Sequence, residues 1–177
     1  MKIAITGHTK GIGQALAKVY ADQGHDIVGM SRSTGQNIRV LPRVLSLIEP
    51  CDVFVNNAQT GYAQTELLFA VYHAWAGTRK KIIVISTMMT QYPTSVIAGL
   101  DEYLVQKIAL EEAVRQLRAK QLGPEIILVR PGDIATTPDK TTPPSADVDH
   151  WATTLVRLLD VGPELAVSDI SLGPAYA

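Results

Sequence analysis

Tyr103 and Lys107 stand four residues apart in a stretch of helical character, a spacing that puts both side chains on one face, one turn apart. A free tyrosine holds its proton up to a pH of about 10. An ammonium group nearby favours the phenolate and lowers that value. The pair can therefore give and take a proton near neutral pH, although Y-x-x-x-K spacing also arises by chance on helix faces. A second chemically loaded stretch is Thr6-Gly7-His8-Thr9-Lys10-Gly11-Ile12-Gly13. An apolar run, Ile3 to Ile5, leads into it and an amphipathic run, with Ile12, Leu16, Val19 and Tyr20 on one face, leaves it. Glycines on such a strand-to-helix turn let backbone approach a ligand closely, and the start of the helix offers unpaired N–H groups to a phosphate. The spacing is neither G-x-G-x-x-G nor that of a Walker loop.

Positioning these residues requires a regular alternation of elements. Residues 2–6 read as a strand, 12–22 as a helix closed by Gly24, and 26–30 as a second strand ending in Ser31-Arg32-Ser33. Asn37-Ile38 reads as a very short third strand. Residues 41–49 read as a helix with Pro42 in its first turn and Pro50 at its end. Residues 52–55 form a fourth strand running into Asn56-Asn57-Ala58, and 64–76 another helix. The continuous apolar run 81–85 predicts a fifth strand buried on both faces. A loop over 86–99 precedes a long helix at 101–122, stopped by Gly123-Pro124, and a sixth strand at 125–129. The Pro- and Thr-rich stretch 136–146 reads as an exposed flap, 147–160 as a last helix, and 165–167 with 170–172 as a closing strand. This rhythm predicts an α/β chain with a single domain over 1–177, a Rossmann-like doubly wound parallel sheet of about seven strands with helices on both faces. Ligands of such sheets bind at the carboxyl ends of the strands. The Gly-rich loop, Ser31-Arg32, Asn56-Asn57 and Ser86-Thr87 all fall there.

Composition narrows the function further. The chain has 177 residues, 46% of them apolar, and a formal net charge of −1, which gives no electrostatic reason to expect nucleic acid or an anionic membrane as partner. Its single cysteine, Cys51, permits no internal disulfide and reads as a small buried hydrophobe at a strand start. His8, His25, His73 and His150 show no metal-ligand spacing, so no metal site is expected. No apolar run reaches membrane-spanning length, and the chain opens directly on a strand, so neither anchor nor leader is expected and the expected location is the cytoplasm.

Taken together, these residues resemble the short-chain dehydrogenase/reductase family. Thr6 to Gly13 matches its T-G-x-x-x-G-x-G loop, Asn56-Asn57-Ala58 its N-N-A-G with Gln59 in place of glycine, and Tyr103 with Lys107 its Y-x-x-x-K. Arg130-Pro131-Gly132-Asp133-Ile134 with Thr136 resembles the P-G-x-[IV]-x-T after the sixth strand, so the likeness covers nearly the whole chain.

The resemblance implies hydride transfer between a nicotinamide cofactor and a small carbonyl or alcohol substrate. Tyr103 would be the acid/base, Lys107 would hold the nicotinamide ribose and tune the tyrosine, and a hydroxyl would bond the substrate oxygen. That hydroxyl has three candidates: Thr87 by alignment, Ser86 as the serine at the strand end, and Thr90 by counting back from Tyr103. The resemblance further assigns cofactor contacts to Gly7, Thr9, Lys10, Gly11, Ile12, Gly13, Ser31, Arg32, Ser33, Asn37, Ile38, Asn57, Ala58, Lys107, Pro131, Gly132, Ile134 and Thr136. NAD-binding members carry an acidic residue after the second strand. Here Ser31-Arg32-Ser33 and Lys10 suit a 2′-phosphate instead, so the expected cofactor is NADP(H). Residues 60–80 lack the catalytic Asn of many members, with Gln64 a loose substitute, and the chain is shortened around 34–40, 59–66 and 136–147. A homodimer is expected through helices bearing Leu68, Val71 and Trp75, and Leu104, Ile108, Leu110 and Val114. Two alternatives stay open: a non-catalytic NADP(H)-binding sensor or scaffold retaining the fold, and an epimerase or dehydratase of the family's extended branch, whose larger C-terminal region this chain lacks.

Overall fold

The computed structural model describes residues 1–92, 99–136, 145–162 and 164–175. Part of the loop expected over 86–99 and most of the flap expected over 136–146 lie outside the described residues. Five strands form at the expected places, two of them with shifted ends: β1 (Lys2–Thr6), β2 (Asp26–Met30), β3 (Val53–Asn56, expected at 52–55), β4 (Lys81–Ile85) and β5 (Glu125–Pro131, expected at 125–129). Between and after them run α1 (Gly11–Asp22), α2 (Leu41–Ile48), α3 (Ala63–Ala74) and α4 (Asp101–Ala119). A two-residue pair, β6 (Ile134–Ala135) and β7 (Ala146–Asp147), then precedes α5 (Val148–Leu159) and β8 (Asp169–Leu172).

The main sheet has the order β2-β1-β3-β4-β5-β8, and all five pairings are parallel. Side-chain alternation along the strands builds two cores. Ala4, Phe54, Ile82, Val84, Ile126 and Leu128 face α2, α3 and α4. Ile3, Ile5, Val53, Val55, Ile83, Ile85, Ile127 and Val129 face α1 and α5, where Leu16, Trp151 and Leu155 complete the layer. Burial on both faces explains why these strands read as unbroken apolar runs.

The sheet has six strands rather than about seven. Asn37-Ile38 is a turn: the Asn37 side chain accepts from the Arg39 N–H at 3.1 Å and its carbonyl from the Val40 N–H at 2.9 Å. Ile38 is buried in the core beneath the turn instead of pairing as a strand. Residues 165–167 also stay outside the sheet, with Leu165 exposed, and only 169–172 pair with β5. The parallel pair β6–β7, which joins Ile134 to Ala146 and Ala135 to Asp147, was not expected from the sequence. Cys51 is fully buried, and burial raises its thiol pKa. Among the described residues no helix is long and apolar enough to cross a membrane.

The chain leaves β1 toward β2 and returns across β1 to β3, so the topological switch point lies between the carboxyl ends of β1 and β3. Thr6 and Asn57 lock that point. The Thr6 hydroxyl accepts from the backbone N–H of Asn57 and of Ala58, each at 3.0 Å, and the Asn57 side chain donates to the Thr6 carbonyl at 2.9 Å.

Candidate active site

The Gly-rich loop closes over the switch point. A Cβ on Gly13 would lie 2.3 Å from the Gly7 carbonyl oxygen and 2.7 Å from the Asn57 side-chain nitrogen, so only glycine lets α1 start so close to the loop. Lys10 precedes α1 with no side-chain cap, which leaves the first N–H groups of the helix available to an anion. Thr136 packs against Gly11 and brings the segment after β5 to the loop.

Beside the loop lies a cavity of about 420 Å³ lined by Gly7, Thr9, Lys10, Ser31, Arg32, Ser33, Asn37, Ile38, Asn57 and Ala58, together with Met30, Gln36, Gln59 and Thr60. Ser31 opens a short turn, Arg32–Thr34, in which its hydroxyl meets those of Ser33 at 2.7 Å and Thr34 at 3.2 Å. Ser33 in turn donates to Thr9 at 3.4 Å, stitching the end of β2 to the Gly loop. Lys10 and Arg32 are exposed at this cavity, and among the described residues neither is in an ion pair. The cradle, the uncapped helix start and the two cations fit a dinucleotide carrying an extra phosphate.

A second cavity, of about 620 Å³, shares Asn57 and Gln59 with the first and is lined by, among others, Ile12, Ser86, Thr87, Met88, Tyr92, Tyr103, Lys107, Pro131, Gly132, Ile134 and Thr136. Gln59, where the family motif has glycine, reaches α4 and donates to the Gln106 side chain, which bonds Glu102 at 3.0 Å. Gly132 is small for a packing reason as well: a Cβ there would lie 2.7 Å from the Gly173 Cα and 3.1 Å from the Met88 sulfur.

The three candidate hydroxyls separate clearly. Ser86 donates to Glu111 Oε1 at 2.6 Å. Thr90 stands 2.8 Å from that same oxygen and 2.8 Å from the Thr87 carbonyl, and shares its proton between them. Thr87 is not bound to Glu111: its hydroxyl accepts from the Met89 N–H at 3.3 Å, and the residue lines the second cavity together with Tyr103. Burial raises the Tyr103 pKa, and the neighbouring Thr87 side chain opposes that rise.

Lys107 is 3% exposed. Its Nζ donates to Gln64 Oε1 and to the Ile85 carbonyl, each at 2.9 Å, and lies 5.7 Å from the centre of the Tyr103 ring. Desolvation pulls its pKa from 10.5 down to about 8, with the Glu111 carboxylate working the other way. The lysine was expected to lower the tyrosine pKa. In this arrangement the ammonium is bonded to Gln64 and the Ile85 carbonyl, and burial leaves the Tyr103 pKa raised.

Two residues of the constellation escaped the sequence reading or were underrated by it. Gln64, 2% exposed, donates to the carbonyls of Asn56 at 2.8 Å and Ile85 at 3.0 Å while accepting from Lys107. Glu111 lies one turn beyond Lys107 on the stripe of Tyr103, and a carboxylate among buried positions was its available signal.

No protein-family model matches the chain, and no curated protein sequence matches it. Solved structures do. An alcohol dehydrogenase from the archaeon Thermococcus sibiricus, complexed with 5-hydroxy-NADP, superimposes with a TM-score of 0.77 at 18% identity, over 99% of this chain and 97% of the other. A short-chain dehydrogenase from Burkholderia cenocepacia in complex with NADP gives 0.79 at 17%, over 97% of this chain and 87% of the other. A 3-alpha-hydroxysteroid dehydrogenase from Pseudomonas, complexed with NADH, gives 0.63 at 18%, over 97% of this chain and 94% of the other. The six-stranded parallel sheet, its switch point and these superpositions together make the fold of this chain that of the short-chain dehydrogenases/reductases.

Proposed function

We propose that the chain is an NADP(H)-dependent oxidoreductase of the short-chain dehydrogenase/reductase type, acting on a small carbonyl or alcohol. The observation that carries this reading is the meeting of Thr87, Tyr103 and Lys107 on the wall of a cavity that adjoins the Gly-rich cradle. The three neighbours named above were solved with NADP, a modified NADP or NADH, which is consistent with a dinucleotide in that cradle. NADPH, when bound, would supply the hydride. Gly7, Gly11, Ile12, Gly13 and the start of α1 hold the phosphates, Arg32 and Lys10 grip the additional phosphate, and Asn57, Pro131, Ile134 and Thr136 line the passage toward the second cavity. Thr87 donates a hydrogen bond to the substrate oxygen and holds it beside Tyr103. Tyr103 gives that oxygen its proton in reduction and takes it back in oxidation. Lys107 keeps a positive charge next to the site, and its remaining N–H would hold the ribose of the bound cofactor. The unit works as a homodimer across the outer faces of α3 and α4.

A panel of aldehydes, ketones and quinones, followed by NADPH oxidation, tests the reading. Tyr103→Phe keeps the ring and removes one oxygen. Its kcat is expected to fall by about two to four orders of magnitude, the range for losing a positioned proton donor, with NADPH affinity near wild type. Turnover indifferent to Tyr103→Phe overturns the assignment. Tight NADPH binding with no turnover on any substrate supports instead a non-catalytic dinucleotide-binding protein. That second reading is favoured by the Lys107 ammonium lying on Gln64 and the Ile85 carbonyl.

A further inference from the structure

We propose that Glu111 is a positioning residue that bolts the 86–90 loop to α4 and so holds Thr87 in the cavity wall beside Tyr103; the inference rests on the oxidoreductase reading above. Glu111 receives bonds from three directions. Ser86 and Thr90 donate to its Oε1 at 2.6 and 2.8 Å, and Arg130 donates to its Oε2 through Nε at 3.0 Å and Nη2 at 2.7 Å. Arg130 continues to Asp169 Oδ1 at 3.1 Å, and Asp169 Oδ2 takes Arg118 at 2.8 Å. The carboxylate is thus fixed from β5 and β8 on one side and holds the loop with the other.

The geometry of the loop makes the consequence specific. The two hydroxyls bound by one carboxylate oxygen flank Thr87 in sequence, one residue before it and three after. Thr90 also shares its proton with the Thr87 carbonyl, so the Glu111 contact reaches the Thr87 backbone directly. Thr87 itself is extended and opens the turn Met88–Gln91, which leaves its side chain on the opposite side of the loop from Ser86. Tyr103 sits on the same helix as Glu111, two turns earlier. Loop and helix therefore adjoin twice along one stripe, once through a charged anchor and once where Thr87 and Tyr103 line the same cavity. A side chain 16% exposed, in an ion pair with an equally shielded guanidinium, makes a stiff anchor. Released from it, the loop would keep its tie to β5, from the Ser86 N–H to the Val129 carbonyl, but would lose its hydrogen-bonded hold on α4.

The test leaves the ion pair intact, so that no buried cation is orphaned. The double variant Ser86→Ala with Thr90→Val removes both loop contacts and keeps Glu111 on Arg130. Its kcat is expected to fall by about 10- to 100-fold, the cost of misplacing a catalytic group by about an ångström. KM for NADPH and the melting temperature are expected to stay near wild type. Ser86→Thr in an otherwise native chain keeps a hydroxyl for Glu111 and is expected to retain turnover. Glu111→Leu should show the kcat loss together with lower stability, and Glu111→Gln, which keeps an acceptor, a smaller loss. If the double variant turns over at the wild-type rate while Thr87→Val is impaired, the anchor is dispensable and the inference is overturned, with the oxidoreductase reading untouched. If Ser86→Ala alone abolishes turnover while Thr87→Val is silent, Ser86 is the substrate-facing hydroxyl, which overturns it too. Failure of the oxidoreductase reading is recognised separately, by absent wild-type turnover or an active Tyr103→Phe.

Discussion

Lys107 and Gln64 form a buried hydrogen-bonded pair, Nζ to Oε1 at 2.9 Å, in which every polar hydrogen of the glutamine amide is also committed. An ammonium has three donors. Gln64 and the Ile85 carbonyl take two of them, which leaves one for a ligand in the adjoining cavity.

This pairing predicts the alkaline limb of the pH–rate profile. Lys107 carries its charge below about 8 and loses it above. Turnover that depends on the ammonium should therefore decline as pH rises through that value. The glutamine replaced by glutamate would hold the charge on the lysine and move the limb upward. Stability follows the opposite sense. Between about 8 and 10.5 the unfolded chain keeps a proton on this lysine that the native chain has released, so the group's contribution to unfolding free energy rises with pH. Rate profiles of wild type and Gln64→Glu, with denaturant titrations of wild type and Lys107→Met at pH 7 and 10, check both signs. A limb that stays put in Gln64→Glu would show that another group sets it.

Arg32 carries the expected discrimination between dinucleotides. A hydrogen bond to a charged group contributes about 1.5–3 kcal/mol, so Arg32→Ala should weaken NADPH binding by about 10- to 100-fold and leave NADH binding nearly unchanged. Fluorescence titration with both cofactors measures it. Parallel losses for the two would mean that the arginine contacts something both share.

Self-association should depend on fewer residues than the sequence suggested. Leu68, Val71, Trp75, Leu104, Leu110 and Val114 are all buried in the core of the single chain, none more than 2% exposed. The apolar side chains left on the outer faces of α3 and α4 are Phe69, Val105 and Ile108, which are 36%, 53% and 46% exposed. Ile108→Glu is expected to give a monomer by light scattering at micromolar concentration without lowering the melting temperature. A wild-type monomer at the same concentration would remove the dimer from the proposed function.

Much of the fold was legible because β1 to β5 are largely apolar runs bounded by a glycine or polar turn, and each helix has one apolar stripe. Asn37-Ile38 misled because two residues carry no period, and the deciding event was Asn37 capping its own turn. In the site, the Gly loop and the Tyr103–Lys107 spacing are local patterns and were readable. The choice among Ser86, Thr87 and Thr90 was not, since it turns on Glu111, a residue more than twenty positions away that two of the three hydroxyls share. The direction of Lys107 was equally hidden, because its partners come from β4 and α3.

The Leu172 carbonyl accepts from the Gly132 N–H and from the Trp151 indole, each at 2.9 Å, while Gly173 presses against Gly132. The end of β8 is thereby part of the wall behind the second cavity. An affinity tag or a fluorescent fusion joined close behind Pro174 would pull on that wall, whereas one joined ahead of Met1 would sit at the opposite end of the strands. Activity assays on tagged material should therefore carry the tag at the amino terminus, and a carboxyl-terminal fusion partner becomes a handle for tuning the pocket from outside.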